Sequence, residues 1–130
     1  MININNVRFV NLTSHAIIIS TERGEMVIPP SGIMARAEHR WNHIGYFSNT
    51  PAYLYTVSKR NVIFYDTKGR MDEPPQVPGT YYIVSAQVLE ILYHNGGFRY
   101  DFIAQATGRI EATRKENGKI DTVPGFYRLI

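Results

Sequence analysis

Between residues 95 and 114 the chain gathers the side chains best suited to chemistry: Asn95, Phe98, Arg99, Asp101, Thr107, Arg109 and Arg114. A guanidinium offers planar, bidentate hydrogen bonding to phosphate oxygens and keeps its charge at any physiological pH. Phe98 follows a glycine pair and precedes Arg99, a setting for a ring at a loop rim. A purine stacked there would gain about 1–3 kcal/mol. Asn95 can offer a donor and an acceptor together to an adenine edge, or it can cap the preceding helix. Each arginine also has a plainer use, pairing with Asp101, Glu111 or Glu116 on a solvated strand face. Taken together these groups suit the holding of a nucleotide-like anion. No nucleophile and base for cutting one is evident.

The rest of the chain adds little for catalysis. Its four histidines are His15, His39, His43 and His94. His39 and His43 have ligand spacing for a helix, but the segment around them does not read as helical and no acidic third ligand accompanies them. Gly-x-Ser-x-Gly, the phosphate-loop glycine pattern and a paired-carboxylate motif are all missing. There is no cysteine, which removes disulfides, thiolate catalysis and Cys-based zinc sites. The expectation is a binding protein, not an enzyme, with no metal and no cofactor.

These residues need a scaffold, and 130 residues suffice for a single domain, 1–130, with one core. Hydrophobic residues make up 44% and charged residues 19%, the balance of a globular chain. The opening MININNVRFV shows no basic segment followed by an apolar one, so no leader is expected. No uncharged apolar run nears the roughly 20 residues of a membrane span. The expected protein is soluble, cytoplasmic and without a membrane partner. A net charge of +3 spread over scattered residues argues against duplex nucleic acid and suits a small anion.

The fold class expected is α+β, mainly antiparallel β-sheet with one principal helix in the C-terminal third. Strands are expected over Val7–Thr13, Ala16–Thr21 and Met26–Ile28, with Glu22–Glu25 as a hairpin turn. Ile33–Glu38 alternates in part, and Tyr53–Val57 with Asn61–Tyr65 reads as a pair across Ser58-Lys59-Arg60. Glu73–Gly79 is a proline-rich connector into a β-branched run, Tyr81–Val84. Ser85–Asn95 is a helix with a serine cap and an Asn-Gly stop. An arginine and aromatic strand, Phe98–Ile103, follows, and then a hairpin turning at Asn117-Gly118.

Four strings carry a resemblance: Asn11–Ile17 (NLTSHAI), Ile28–Ala37 (IPPSG, then ARA), Tyr82–Ser85 (YIVS) and Arg99–Ala104 (RYDFIA). They resemble a family of small bacteriophage and prophage proteins, identified as the family of the first Thoeris anti-defence protein. The resemblance covers both ends of the chain and leaves out residues 38 to 78. It implies a sponge that binds cyclic ADP-ribose isomers made by TIR-domain proteins and sequesters them uncleaved in the infected host's cytoplasm. It also implies a homo-oligomer with pockets between subunits, and in some members cyclic oligonucleotides at a second site. In that reading the arginines neutralise the pyrophosphate, aromatic rings sandwich adenine, and Asp101 or Thr107 meets ribose hydroxyls. The competing readings are an enzyme that degrades such a signal and an accessory protein that binds protein or RNA.

Overall fold

A computed structural model describes residues 2–4, 6–96, 99–106, 113–114 and 120–130. In chain order the strands are β1 (Ile2–Ile4), β2 (Val7–Asn11), β3 (Ile17–Thr21), β4 (Gly24–Ile28), β5 (Met34–Phe47), β6 (Thr50–Asp66) and β7 (Gly69–Met71). After them come β8 (Thr80–Val84), helix α1 (Ala86–His94), β9 (Phe102–Gln105), β10 (Thr113–Arg114), β11 (Ile120–Thr122) and β12 (Phe126–Tyr127). The α+β class holds, with one helix among the described residues, beginning at the edge of the last third.

The central sheet is mixed, in the order β1-β2-β8-β9-β12. Its two inner pairings, β2 with β8 and β8 with β9, are parallel, and both edges are antiparallel. This qualifies the expectation of a mainly antiparallel sheet. The reason lies in β8: Tyr82, Ile83 and Val84 are all buried, so both faces of the strand are covered, as in a parallel sheet. Alternation sorts the core in two. Val10, Tyr82, Val84, Phe102 and Ala104 face α1 together with Ala35 and Phe64 from β5 and β6. Ile83 and Ile103 face the other way, onto Ile17, Ile19 and Ile28 of the β3–β4 hairpin and Val123. Among the described residues no helix is long and apolar enough to cross a membrane.

The local expectations fare according to how local they are. The turn narrows to Glu22–Arg23, and Gly24, the first residue of β4 and the partner of Thr21, takes φ +116°, where a Cβ would be strained. Ser85 caps α1, its hydroxyl accepting from the Val88 N–H at 3.2 Å. At the other end Gly96, not Asn95, takes the left-handed conformation, φ +79° against −78°. Tyr53–Val57 and Asn61–Tyr65 do not pair with each other. Both belong to β6 and pair with the fourteen-residue β5, as His39↔Val57 and Ala37↔Val62 show. The break between them is a bulge, because the Ser58 hydroxyl accepts from the N–H groups of Arg60 and Asn61 at 3.1 Å each and so mimics a turn. The strand expected from Phe98 begins only at Phe102. β10 and β11 pair antiparallel, and the Asn117-Gly118 turn between them lies outside the described residues.

One buried side chain joins the layers. Asn11, at the end of β2, is 0% exposed. Its Nδ2 donates to the carbonyls of His15 (2.8 Å) and Ile28 (3.1 Å). Its Oδ1 accepts from the Thr13 N–H (2.9 Å) and lies 2.6 Å from the Thr13 hydroxyl. Its main-chain carbonyl accepts from the Ser31 N–H (3.0 Å) and hydroxyl (2.7 Å). Two of the strings singled out in the sequence, NLTSH and IPPSG, therefore lock onto each other.

Leaving buried polar partners unmet costs about 1–3 kcal/mol each, so Asn11→Ala should lose on the order of 3 kcal/mol or more in urea unfolding. Asn11→Asp sets a carboxylate against two carbonyls, which favours the protonated acid and raises its pKa. Its deficit relative to the parent should shrink as pH falls from 8 toward 4, and a deficit independent of pH would refute this account.

Candidate functional site

Arg99 and Asp101 lie just before β9 and are committed to each other. Arg99 Nε donates to Asp101 Oδ1 at 3.0 Å and Nη2 to Oδ2 at 2.7 Å, a bidentate pair with side chains 16% and 7% exposed. Arg99 Nη1 donates to the Pro74 carbonyl at 2.6 Å and sits 3.6 Å from Glu73. The guanidinium lies 4.5 Å from the Phe102 ring centroid. The hydrogen bond to Asp101 raises the Arg99 pKa, against burial, which lowers it. Tyr82 holds the same connector, its hydroxyl donating to the Pro75 carbonyl at 2.9 Å, and burial raises the phenol's pKa. Two side chains thus pin the proline-rich segment to the sheet. The plainer reading of Arg99, a partner for Asp101, is what the geometry displays.

The remaining residues of the 95–114 group are not brought to this pair by any described contact. Asn95 stands at the end of α1, its Nδ2 donating to the Arg60 carbonyl at 2.6 Å. Arg114 lies on β10, opposite Ile120. Phe98, Thr107 and Arg109 lie outside the described residues.

Asn95 does border a cleft. A depression of about 670 Å³ opens between the β6–β7 hairpin and the end of α1, with Arg60, Arg70, Asp72, Glu73 and Asn95 on its walls. Val62, Phe64 and Met71 contribute its apolar part. The bulge at Ser58 turns the chain here, and the Asn95 amide holds the exposed carbonyl that results. Arg60 and Arg70 did not stand out in the sequence. They stand ten positions apart, and the β6–β7 hairpin brings them to one cleft.

The volume falls within the roughly 300–1,000 Å³ of small-molecule sites. Guanidinium groups there can meet phosphate, and carboxylates can accept from sugar hydroxyls, as acidic residues do for ribose in dinucleotide sites. The arrangement is that of a small α+β protein with an open, mixed-charge cleft beside its helix. No family model, no curated protein and no solved structure matches the chain.

Removing one member of a buried pair strands the other, typically at about 3–5 kcal/mol. Arg99→Ala should therefore lower stability on that scale, and the double variant Arg99→Ala/Asp101→Ala should be less than additive in a denaturation cycle. An unchanged melting temperature for Arg99→Ala would show that the pair does not hold the connector.

Proposed function

We propose that the protein is a non-catalytic sponge for a cyclic ADP-ribose isomer, acting for a bacteriophage in the cytoplasm of the infected host. The observation that carries this reading is the meeting of Arg60, Arg70, Asp72 and Asn95 at one cleft of nucleotide size. Arg60 and Arg70 would take the pyrophosphate and Asp72 the ribose hydroxyls. The Asn95 amide spends one of its two N–H donors on the Arg60 carbonyl, which leaves the other N–H and the oxygen for a base. The resemblance of the four sequence strings supports the same ligand class. Under this proposal the protein works as a homo-oligomer, whose second subunit would close the open side of the cleft and strengthen each charge-assisted bond by excluding water. Arg109 and Arg114 are the proposal's other candidate anion ligands, and cyclic oligonucleotides its candidate second ligands.

The test is to incubate the protein with cyclic ADP-ribose isomers, filter, denature by heat and analyse the released small molecules. Intact ligand is expected. A breakdown product would mean an enzyme, and ligand left wholly in the filtrate would end the sponge reading. Losing a charged hydrogen-bond partner costs about 1.5–3 kcal/mol, so Arg60→Ala/Arg70→Ala should weaken binding by about ten- to over a hundred-fold in calorimetry. If Arg109→Ala/Arg114→Ala does so instead, the ligand lies at the C-terminal hairpin and not in the cleft.

A further inference from the structure

The outer halves of β5 and β6 form a two-stranded ribbon that reaches beyond the core. From Arg40 to Val57 nearly every residue is exposed, whereas Ala35, Ala37 and Phe64 at its root are buried. The register pairs His39 with Val57, Trp41 with Tyr55, His43 with Tyr53 and Tyr46 with Pro51. Directly opposed residues share a face and positions two apart repeat it. A bulge between His43 and Gly45 keeps Tyr46 in phase with the others. The outcome is one face built of rings. Trp41 and Tyr55 lie 4.5 Å apart between centroids, His39 and Tyr55 5.3 Å, His43 and Tyr46 4.8 Å, and His43 and Tyr53 5.6 Å. Trp41 is 64% exposed, Tyr46 66% and Tyr53 56%.

Positive charge gathers on the same element, Arg40 on the ribbon itself and the rest at its root. Residues 36–60 hold Arg36, Arg40, Lys59 and Arg60 against Glu38 alone, a surplus of three. The whole chain carries +3, so the other residues, ten of each sign, cancel. None of these four cations pairs with a described carboxylate. A ribbon only two strands wide keeps Arg40, the neighbour of Trp41 on the opposite face, within about a Debye length, roughly 8–10 Å, of whatever lies on that ring, and Arg36, Lys59 and Arg60 add to the field from the ribbon's root.

We propose that the aromatic face of the β5–β6 ribbon binds single-stranded nucleic acid, with Trp41, Tyr53 and Tyr55 stacking on bases and Arg40 and Lys59 neutralising phosphates. Flat rings with a net positive field are the pairing that sequence-tolerant single-strand binders use. A protein partner would account for the apolar area and leave the charge surplus unexplained. Spacing agrees as well. Rings two residues apart on a strand repeat about every 6.6–6.8 Å, close to twice the 3.4 Å base step, the gap left when a ring inserts between neighbouring bases. Duplex bases are already stacked, so a duplex should bind far more weakly. Arg60 stands where the ribbon's root meets the cleft, but the stacking proposal rests on Trp41, Tyr53, Tyr55, Arg40 and Lys59, none of which lines the cleft, so either can fail without the other.

The experiment uses end-labelled twelve-residue oligo(dT) and oligo(rU), with anisotropy for all variants and the fluorescence of Trp41, the only tryptophan, for the parent. Saturable binding is expected, with quenching of Trp41, loss of affinity on raising salt from 50 to 200 mM, and at most weak binding of a duplex of equal length. Trp41→Leu and Tyr53→Ala should each weaken binding by about five- to 150-fold with the melting temperature unchanged, the equivalent of 1–3 kcal/mol per stacked base. Trp41→Phe, which keeps a flat ring, should retain most of it. No anisotropy change for either oligomer at 100 µM protein overturns the proposal. So does binding that Trp41→Leu leaves intact. If sedimentation shows the parent self-associating through the ribbon, with Trp41→Leu abolishing this and no oligomer bound, the face belongs to a second copy and the proposal is wrong.

Discussion

The structure depends on the burial of one carboxamide. Asn11 is fully enclosed, and its side chain's hydrogen-bonding capacities are met by Thr13 and His15 of the turn that follows it and by Ile28 of β4. An unmet polar group in such a place costs about 1–3 kcal/mol, as much as burying a further aliphatic side chain contributes. The arrangement is therefore nearly all-or-none. Either His15, Ile28 and Thr13 present their polar groups to Asn11 in the observed positions, or the side chain cannot be buried at all. Because Asn11 also pairs with Ile83 across the parallel β2–β8 ladder, this condition sets where the β3–β4 hairpin lies on the central sheet. Among the described residues no buried side-chain polar atom lacks a partner, so the condition is met throughout.

The four strings that carried the sequence resemblance meet in this part of the molecule. NLTSH and IPPSG close around Asn11, and YIVS supplies the strand beside it. RYD brings Asp101, whose carbonyl accepts from the Tyr82 N–H at 2.7 Å and whose carboxylate holds Arg99. Their roles visible in the structure are in folding. Distinctive strings of polar and small residues arise at a tightly satisfied lock as readily as at a ligand site, since both demand particular hydrogen-bonding groups at particular places.

The residues on which the two proposals rest lie mostly in the segment the resemblance left out, 38 to 78. Arg99 is spent on Asp101 and Pro74, whereas Arg60 and Arg70 face a cleft and Arg40 stands on an exposed ribbon. The Ser58 bulge links these two surfaces. It ends the ribbon part of β6 and starts the part that packs on the core, and it turns out the Arg60 carbonyl that Asn95 holds. One small hydroxyl thus divides a seventeen-residue strand into an exposed ribbon and a stretch that packs on the core through Phe64.

What could be read in advance was decided within a few residues of chain. The Gly24 turn, the Ser85 cap and the run of buried positions in β8 follow from φ preferences, a single reachable N–H and side-chain character, all local. Pairings decided at a distance were not legible. Tyr53–Val57 and Asn61–Tyr65 look like two strands because Ser58 mimics a turn; only β5, long enough to span both, makes them one. Parallel pairing of β2 with β8 joins residues some seventy positions apart, and no local pattern encodes which strand fills that place. The same holds for the candidate sites. Composition revealed arginines and aromatic rings, but a guanidinium's availability depends on whether a carboxylate lies within 3 Å of it. That is a question of tertiary packing, answered one way for Arg99 and another for Arg60.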